Sequence, residues 1–163
     1  MLRAGSTWAK PWASRDTART MSQENVEVVG RMFRALGEGD LDGVLNYWDS
    51  RGDYYPIAKW PEAQPRHGSD EIRDFLVSYR QGFDRFEFTI QAIKPIGDDR
   101  VLMSVRLAWE WKASGMSLDG ELFHCFWVRH GRVFRQEDHV TLPGALRALG
   151  LNGETLEAAG LGE

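Results

Sequence analysis

The chain has 163 residues, 42% hydrophobic and 27% charged, which suits one domain able to bury a core and excludes a wholly disordered polymer. Its formal net charge of −4, with basic residues scattered along the chain, offers no electrostatic basis for nucleic-acid binding. No apolar run approaches the roughly 20 residues that cross a bilayer, and a single cysteine, Cys125, excludes an internal disulfide and agrees with a cytoplasmic location.

Residues 1–20 mix Ala, Ser, Thr, Arg and Pro without an apolar period. They read as a disordered N-terminal extension, or as leader sequence upstream of Met21, with the ordered domain spanning 21–163. Ser22 is the expected N-cap of a first helix, in which Val26, Val29, Phe33 and Leu36 form one apolar face. Gly37 and Gly39 end it, and Asp40 caps a second helix with Leu41, Val44, Leu45 and Trp48 as its stripe. Residues 50–68 hold three prolines and two glycines, so only a short strand over Tyr54–Ile57 is expected, followed by a loop carrying Trp60 and His67 as a candidate lid. A third helix runs from Ser69 to Gly82, with Ile72, Phe75, Leu76 and Tyr79 inward.

Beyond Gly82 the period changes from helical to two. Phe86, Phe88 and Ile90 alternate with polar residues, as do Val101, Met103, Val105, Leu107, Trp109 and Trp111. Another strand runs to about Arg129, His130-Gly131 makes a two-residue hairpin turn, and Arg132–Thr141 is the last strand, followed by one or two short helices. Strands joined by short turns cannot form βαβ units, so a Rossmann-type fold is excluded. The order predicts an α+β domain, a strongly curved antiparallel sheet wrapped around three N-terminal helices, with a cavity between them.

Four segments, ENVEVVGRMFRALGEGDLDGVLNYW, HGSDEIRDFLVSY, FHCFWVRHGRVFRQED and LEAAGL, stand in an order and spacing that resembles the SnoaL-like family of the nuclear transport factor 2-like superfamily. The resemblance covers about residues 22–163 and implies a cone-shaped roll. That superfamily holds isomerases, cyclases, dehydratases, epoxide hydrolases and non-enzymatic binders, so it implies a pocket and no particular reaction. Its members often dimerise through the outer face of the sheet.

With a two-residue turn, Arg129 pairs with Arg132 and facing residues share a side. One side then holds Phe123, Cys125, Trp127, Phe134, Gln136 and Asp138. The other holds His124, Phe126, Val128, Val133, Glu137 and His139. The first set is the more apolar and is taken as the pocket side. A carboxylate among Phe and Trp is costly to bury unless its pKa rises, as a general acid/base near neutrality requires, so Asp138 is the leading catalytic candidate. Cyclases and epoxide hydrolases of the resembled family also place an acid/base aspartate a few residues beyond a Gly-[Lys/Arg]-[Ile/Val] hairpin, here Gly131-Arg132-Val133. A structural carboxylate saturated by hydrogen bonds is the competing reading.

His124 is the second catalytic candidate, since many relatives have a histidine in this strand. The unbulged register sets it on the outer side, across from Glu137; a β-bulge would reverse that parity. His124, Glu137 and His139 lack the spacing of a metal site, and none is assigned. Gln136 reads either as orienting a water or substrate oxygen or as satisfying the core by a hydrogen bond, and Tyr55, Trp127, Trp109, Trp48 and Tyr79 as pocket walls or core packing. Phe126, Val128 and Val133 are the expected contacts of a homodimer. Arg106 and Glu110 read as a solvated face, and Cys125 as a small buried hydrophobe. No P-loop or G-x-G-x-x-G sequence is present, and no cofactor is implied. These residues point to an apolar small molecule as ligand. The protein then reads as an acid/base enzyme of isomerase, cyclase or hydrolase type, with a non-catalytic binder or a dimeric interaction domain as alternatives.

Overall fold

The computed structural model describes residues 10–58 and 63–152. Helix α1 spans Lys10–Glu38 and α2 Leu41–Leu45; strands β1 (Trp48–Tyr55) and β2 (Arg66–His67) precede α3 (Gly68–Gly82). Strands β3 (Phe83–Ile96), β4 (Arg100–Trp111), β5 (Ser117–Arg129) and β6 (Arg132–His139) follow, and α4 (Leu142–Ala148) closes the described chain. The six strands form one open sheet in the order β2-β1-β6-β5-β4-β3. All neighbours are antiparallel except β1 and β6, which run parallel.

The α+β architecture is as expected, with α1 and α3 packed against one face of the sheet. Helix α1 buries Val29, Met32 and Phe33, and α3 buries Ile72 and Phe75, against Val101, Met103, Val105, Phe126, Val128 and Val133 of the strands. Several boundaries differ from expectation. Helix α1 begins at Lys10 and so takes in residues 10–20 of the expected extension, while residues 1–9 lie outside the described residues. Ser22 is therefore no N-cap. Its hydroxyl donates to Gly97 O at 2.8 Å, and Asn25 Nδ2 donates to Asp98 O at 2.8 Å, pinning the helix to the β3–β4 turn. Asp40 does cap α2, accepting from Gly43 N at 2.9 Å. That helix stops at Leu45, and Trp48 instead opens β1, 3% exposed. The lid residue Trp60 and the LEAAGL segment lie outside the described residues.

Bulges give the sheet its curvature. Strand β3 carries extra residues against β4 between Phe83 and Arg85 and between Ile90 and Ala92. In the last hairpin, Arg129 pairs with Arg132 and Val128 with Val133 as expected, over a turn in which His130 (φ 52) and Gly131 (φ 72) both adopt the left-handed region. Trp127 then pairs with Arg135, leaving Phe134 as the extra residue. Past that point every facing relation of β5 and β6 is shifted by one.

The shift overturns the expected face of β5. Leu122, His124, Phe126 and Val128 point to the helices, whereas Phe123, Cys125 and Trp127 lie on the outer face. That outer face is apolar because α4 covers it: Ala145, Leu146 and Leu149 pack with Ile96, Leu102 and Cys125 in a second, smaller core. Choosing the pocket side by apolarity fails where both sides of a strand are buried. Phe126, Val128 and Val133, at 0%, 3% and 0% exposure, belong to the chain's own core and do not serve as dimer contacts. Cys125 is the buried hydrophobe expected, its thiol donating to Ala145 O at 3.5 Å and pushed by burial to a pKa of about 12.

Candidate functional site

Between the helices and the inner sheet face lies a cavity of about 60 Å³, several times what one water requires. Helix α1 contributes Met32, Phe33 and Leu36, and α3 contributes Ile72, Phe75, Leu76 and Tyr79. Phe86, Phe88, Leu107 and Leu122 come from β3, β4 and β5. The wall is almost wholly hydrophobic. Its polar end is built from Tyr54 of β1, His124 of β5, and Gln136 and Asp138 of β6.

Register brings these four together. Tyr54 pairs with Gln136 across the parallel β1–β6 ladder, and His124 pairs with Asp138 across the antiparallel one. Gln136 and Asp138, two residues apart, share a face by the strand period. His124 Nδ1 lies 2.5 Å from Asp138 Oδ1, with side-chain exposures of 8% and 6%. Tyr54 Oη donates to Asp138 Oδ2 at 2.5 Å, and Gln136 Nε2 donates to Asp138 Oδ1 at 2.9 Å. The carboxylate thus accepts from three side chains in an apolar enclosure.

Burial pushes the Asp138 carboxyl up, but attraction to His124 and hydrogen bonds from His124, Tyr54 and Gln136 outweigh it. The net direction is downward from the ordinary carboxylate value, opposite to the raised pKa expected from the sequence. Asp138 is held as an anion. Tyr54 moves the other way: burial first, then the charge of Asp138, raises its phenol well above the usual value. Tyr79 is raised by the same two causes in the same order. Since an ionised carboxylate only accepts, His124 Nδ1 carries a proton; Nε2 is then a lone pair in the neutral ring and an N–H in the imidazolium. Among the described residues, no side chain hydrogen-bonds that Nε2.

Of the expected site residues, Asp138, His124, Gln136, Trp48 and Tyr79 all line the cavity. Three expected walls do not. Trp127 lies outside, its ring 5.3 Å from the Arg135 guanidinium carbon, and Tyr55 lies 4.5 Å from that carbon on its other flank. Arg135 completes this outer cluster by pairing with Glu137 at 3.2 Å. Trp109 is a core residue against Phe83, ring centres 5.5 Å apart. The expected His124–Glu137 contact is replaced by His124–Asp138, and Glu137 and His139 stand on the far side of the sheet from His124. No group of three His, Cys, Asp or Glu suited to a metal occurs among the described residues. Sequence reasoning missed Tyr54. The adjacent Tyr54-Tyr55 pair signals that one ring faces in, and only the register with Gln136 and Glu137 says which.

The fold is an α+β roll whose apolar cavity ends in a buried polar cluster. A model of the SnoaL-like domain matches residues 29–136, and the chain belongs to that family. No curated protein matches it. Solved structures share the fold. An NTF2-like protein from Burkholderia thailandensis is 19% identical, covering 75% of this chain and 96% of its own, with a TM-score of 0.66. TerC, co-crystallised with polyporic acid, is 18% identical over 77% of this chain and 97% of its own, TM-score 0.63. A Mycobacterium tuberculosis protein in complex with estradiol-17β-hemisuccinate is 16% identical over 74% and 95%, TM-score 0.62.

Proposed function

We propose that this protein is an enzyme acting on an apolar small molecule, with His124 as the proton-transferring group and Asp138 as its orienting anion. The observation that carries this reading is the 2.5 Å contact from His124 Nδ1 to Asp138 at the one polar end of an otherwise apolar cavity. Asp138, saturated by three donors, is poorly suited to collect a substrate proton itself, so the acid/base role passes from the carboxylate to the imidazole it holds. Histidine is the usual proton-transfer group near neutral pH, and a carboxylate on Nδ1 sets its tautomer and ring orientation. Nε2 then takes a proton from a cavity water or from the substrate and returns it to the product. Hydrolysis, isomerisation and cyclisation share that step. Tyr54 and Gln136 act on Asp138 and are positioning residues. The two relatives crystallised with polyporic acid and an estradiol ester support a pocket sized for organic ligands in this fold.

The alternative, a non-catalytic binder, is favoured by one observation, the saturation of Asp138. Turnover of apolar hydroxyl-bearing substrates, alongside epoxides, lactones and ketones, by the unaltered chain and by His124→Gln separates the two. Loss of about 10²–10⁴-fold in kcat/KM in the variant, far beyond its loss of ligand affinity, is the expected result for general acid–base catalysis. Equal residual rates in both proteins would overturn the enzymatic reading and leave the binder.

A further inference from the structure

The hydrogen-bonding inventory of the polar end constrains the ligand beyond its being apolar. Three of the donors there are committed to one acceptor: the Tyr54 hydroxyl, the His124 Nδ1–H and an N–H of Gln136 all point at Asp138. What these side chains have left for a ligand is chiefly accepting capacity. His124 Nε2 is a lone pair in the neutral ring, and the Gln136 amide, fixed by its donation to a carboxylate, keeps its Oε1 as an acceptor. The second N–H of Gln136 is the single donor left over among the three.

Charge acts in the same direction. Asp138 is an anion, and among the described residues neither Arg nor Lys lines the cavity. Seven of the lining side chains are aromatic, Phe33, Phe75, Phe86 and Phe88 among them, and aromatic faces attract cations while offering nothing to anions. A ligand carbonyl beside Asp138, His124 and Gln136 meets chiefly lone pairs, and a ligand carboxylate meets lone pairs and a like charge in a largely apolar enclosure.

We propose that the cavity recognises its ligand through a hydrogen-bond donor, a hydroxyl or a protonated amine on an apolar body, presented to the Nε2 lone pair of the neutral His124 ring. This rests on the cavity being a small-molecule site, and it deepens that reading by excluding ketone- and carboxylate-headed ligands as the preferred class.

The test uses the unaltered full-length chain and four probes with one ring: benzylammonium, benzyl alcohol, benzaldehyde and benzoate. Affinity is titrated at neutral pH while the His124 imidazole nitrogens are followed by NMR. Benzylammonium is expected to bind about tenfold or more tighter than benzoate, the scale of one charge-assisted contact, with benzyl alcohol ahead of benzaldehyde. The two donors are expected to move the Nε2 resonance and benzaldehyde to leave it in place. Benzaldehyde or benzoate binding as tightly as benzyl alcohol overturns the donor inference and leaves the pocket standing. Binding of none of the four at the cavity overturns both.

Discussion

Tyr54 illustrates how much hangs on one side chain. Its hydroxyl donates to Asp138 Oδ2, and its ring packs edge-on against Phe75 with centres 5.1 Å apart. Tyr54→Phe keeps the ring and strips one donor from a buried anion, which costs about 1–3 kcal/mol. That penalty belongs to the ionised carboxylate. Urea denaturation is therefore expected to show it in full at pH 7 and to show it shrinking as Asp138 takes up a proton; a penalty independent of pH would argue that the lost contact was mere packing. Gly52 is a second informative residue. A Cβ there would lie 2.8 Å from the Trp48 ring and 3.1 Å from Asp49 O, so Gly52→Ala must displace a tryptophan that lines the cavity. A loss of about 1–3 kcal/mol is expected from overpacking, read as a lower urea midpoint.

At the scale of elements, the short helix α4 decides which face of β5 is the pocket side. Thr141 caps it by accepting from Gly144 N at 3.1 Å, and Leu149, 1% exposed, closes the outer core over Cys125. Leu149→Ala is expected to cost about 2–5 kcal/mol and to open Cys125 to alkylation, which a thiol reagent followed over time measures directly. His124 and Asp138 lie on the opposite face, so ligand affinity is expected to survive in the folded fraction. Loss of affinity without loss of fold would mean that the two cores are coupled through the sheet. The Phe134 bulge belongs to this scale as well. It lets Val133 and Gln136, three residues apart, both point inward, and so puts His124 and Asp138 on one side.

For the molecule as a whole, the buried polar end sets a pH window. Asp138 has a folded pKa below its unfolded value of about 3.9, so its contribution is complete above that value and is lost as pH falls. Tyr54 and Tyr79 have folded pKa values above the ordinary tyrosine value of about 10, so their contribution is complete below it and is lost as pH rises. Stability measured by thermal unfolding is expected to plateau between these limits and fall on both sides. Asp138→Asn should flatten the acid limb while lowering the plateau. An unchanged acid limb in that variant would assign acid unfolding to other carboxylates.

Periodicity determined the type of most elements, though it missed the first turns of α1 and the strand that opens at Trp48. The three-four spacing of Val29, Phe33 and Leu36, the alternation from Phe86 to Trp111 and the His130-Gly131 turn are local features, and local sterics and the apolar stripe dictate them. The side chains of the cavity's polar end, Asp138, His124 and Gln136, were legible too, because a carboxylate and an imidazole in apolar strands are conspicuous. Their relation was not. Whether His124 meets Glu137 or Asp138 depends on a single inserted residue at Phe134, and a strand of period two reverses every face on a shift of one. Tyr54 and Tyr55 differ by the same parity, and the apolarity of Cys125 and Trp127 came from a helix further along the chain. Hydrophobic pattern tells which residues leave water; only the packed structure, through bulges and long-range layers, decides which buried side chains face one another.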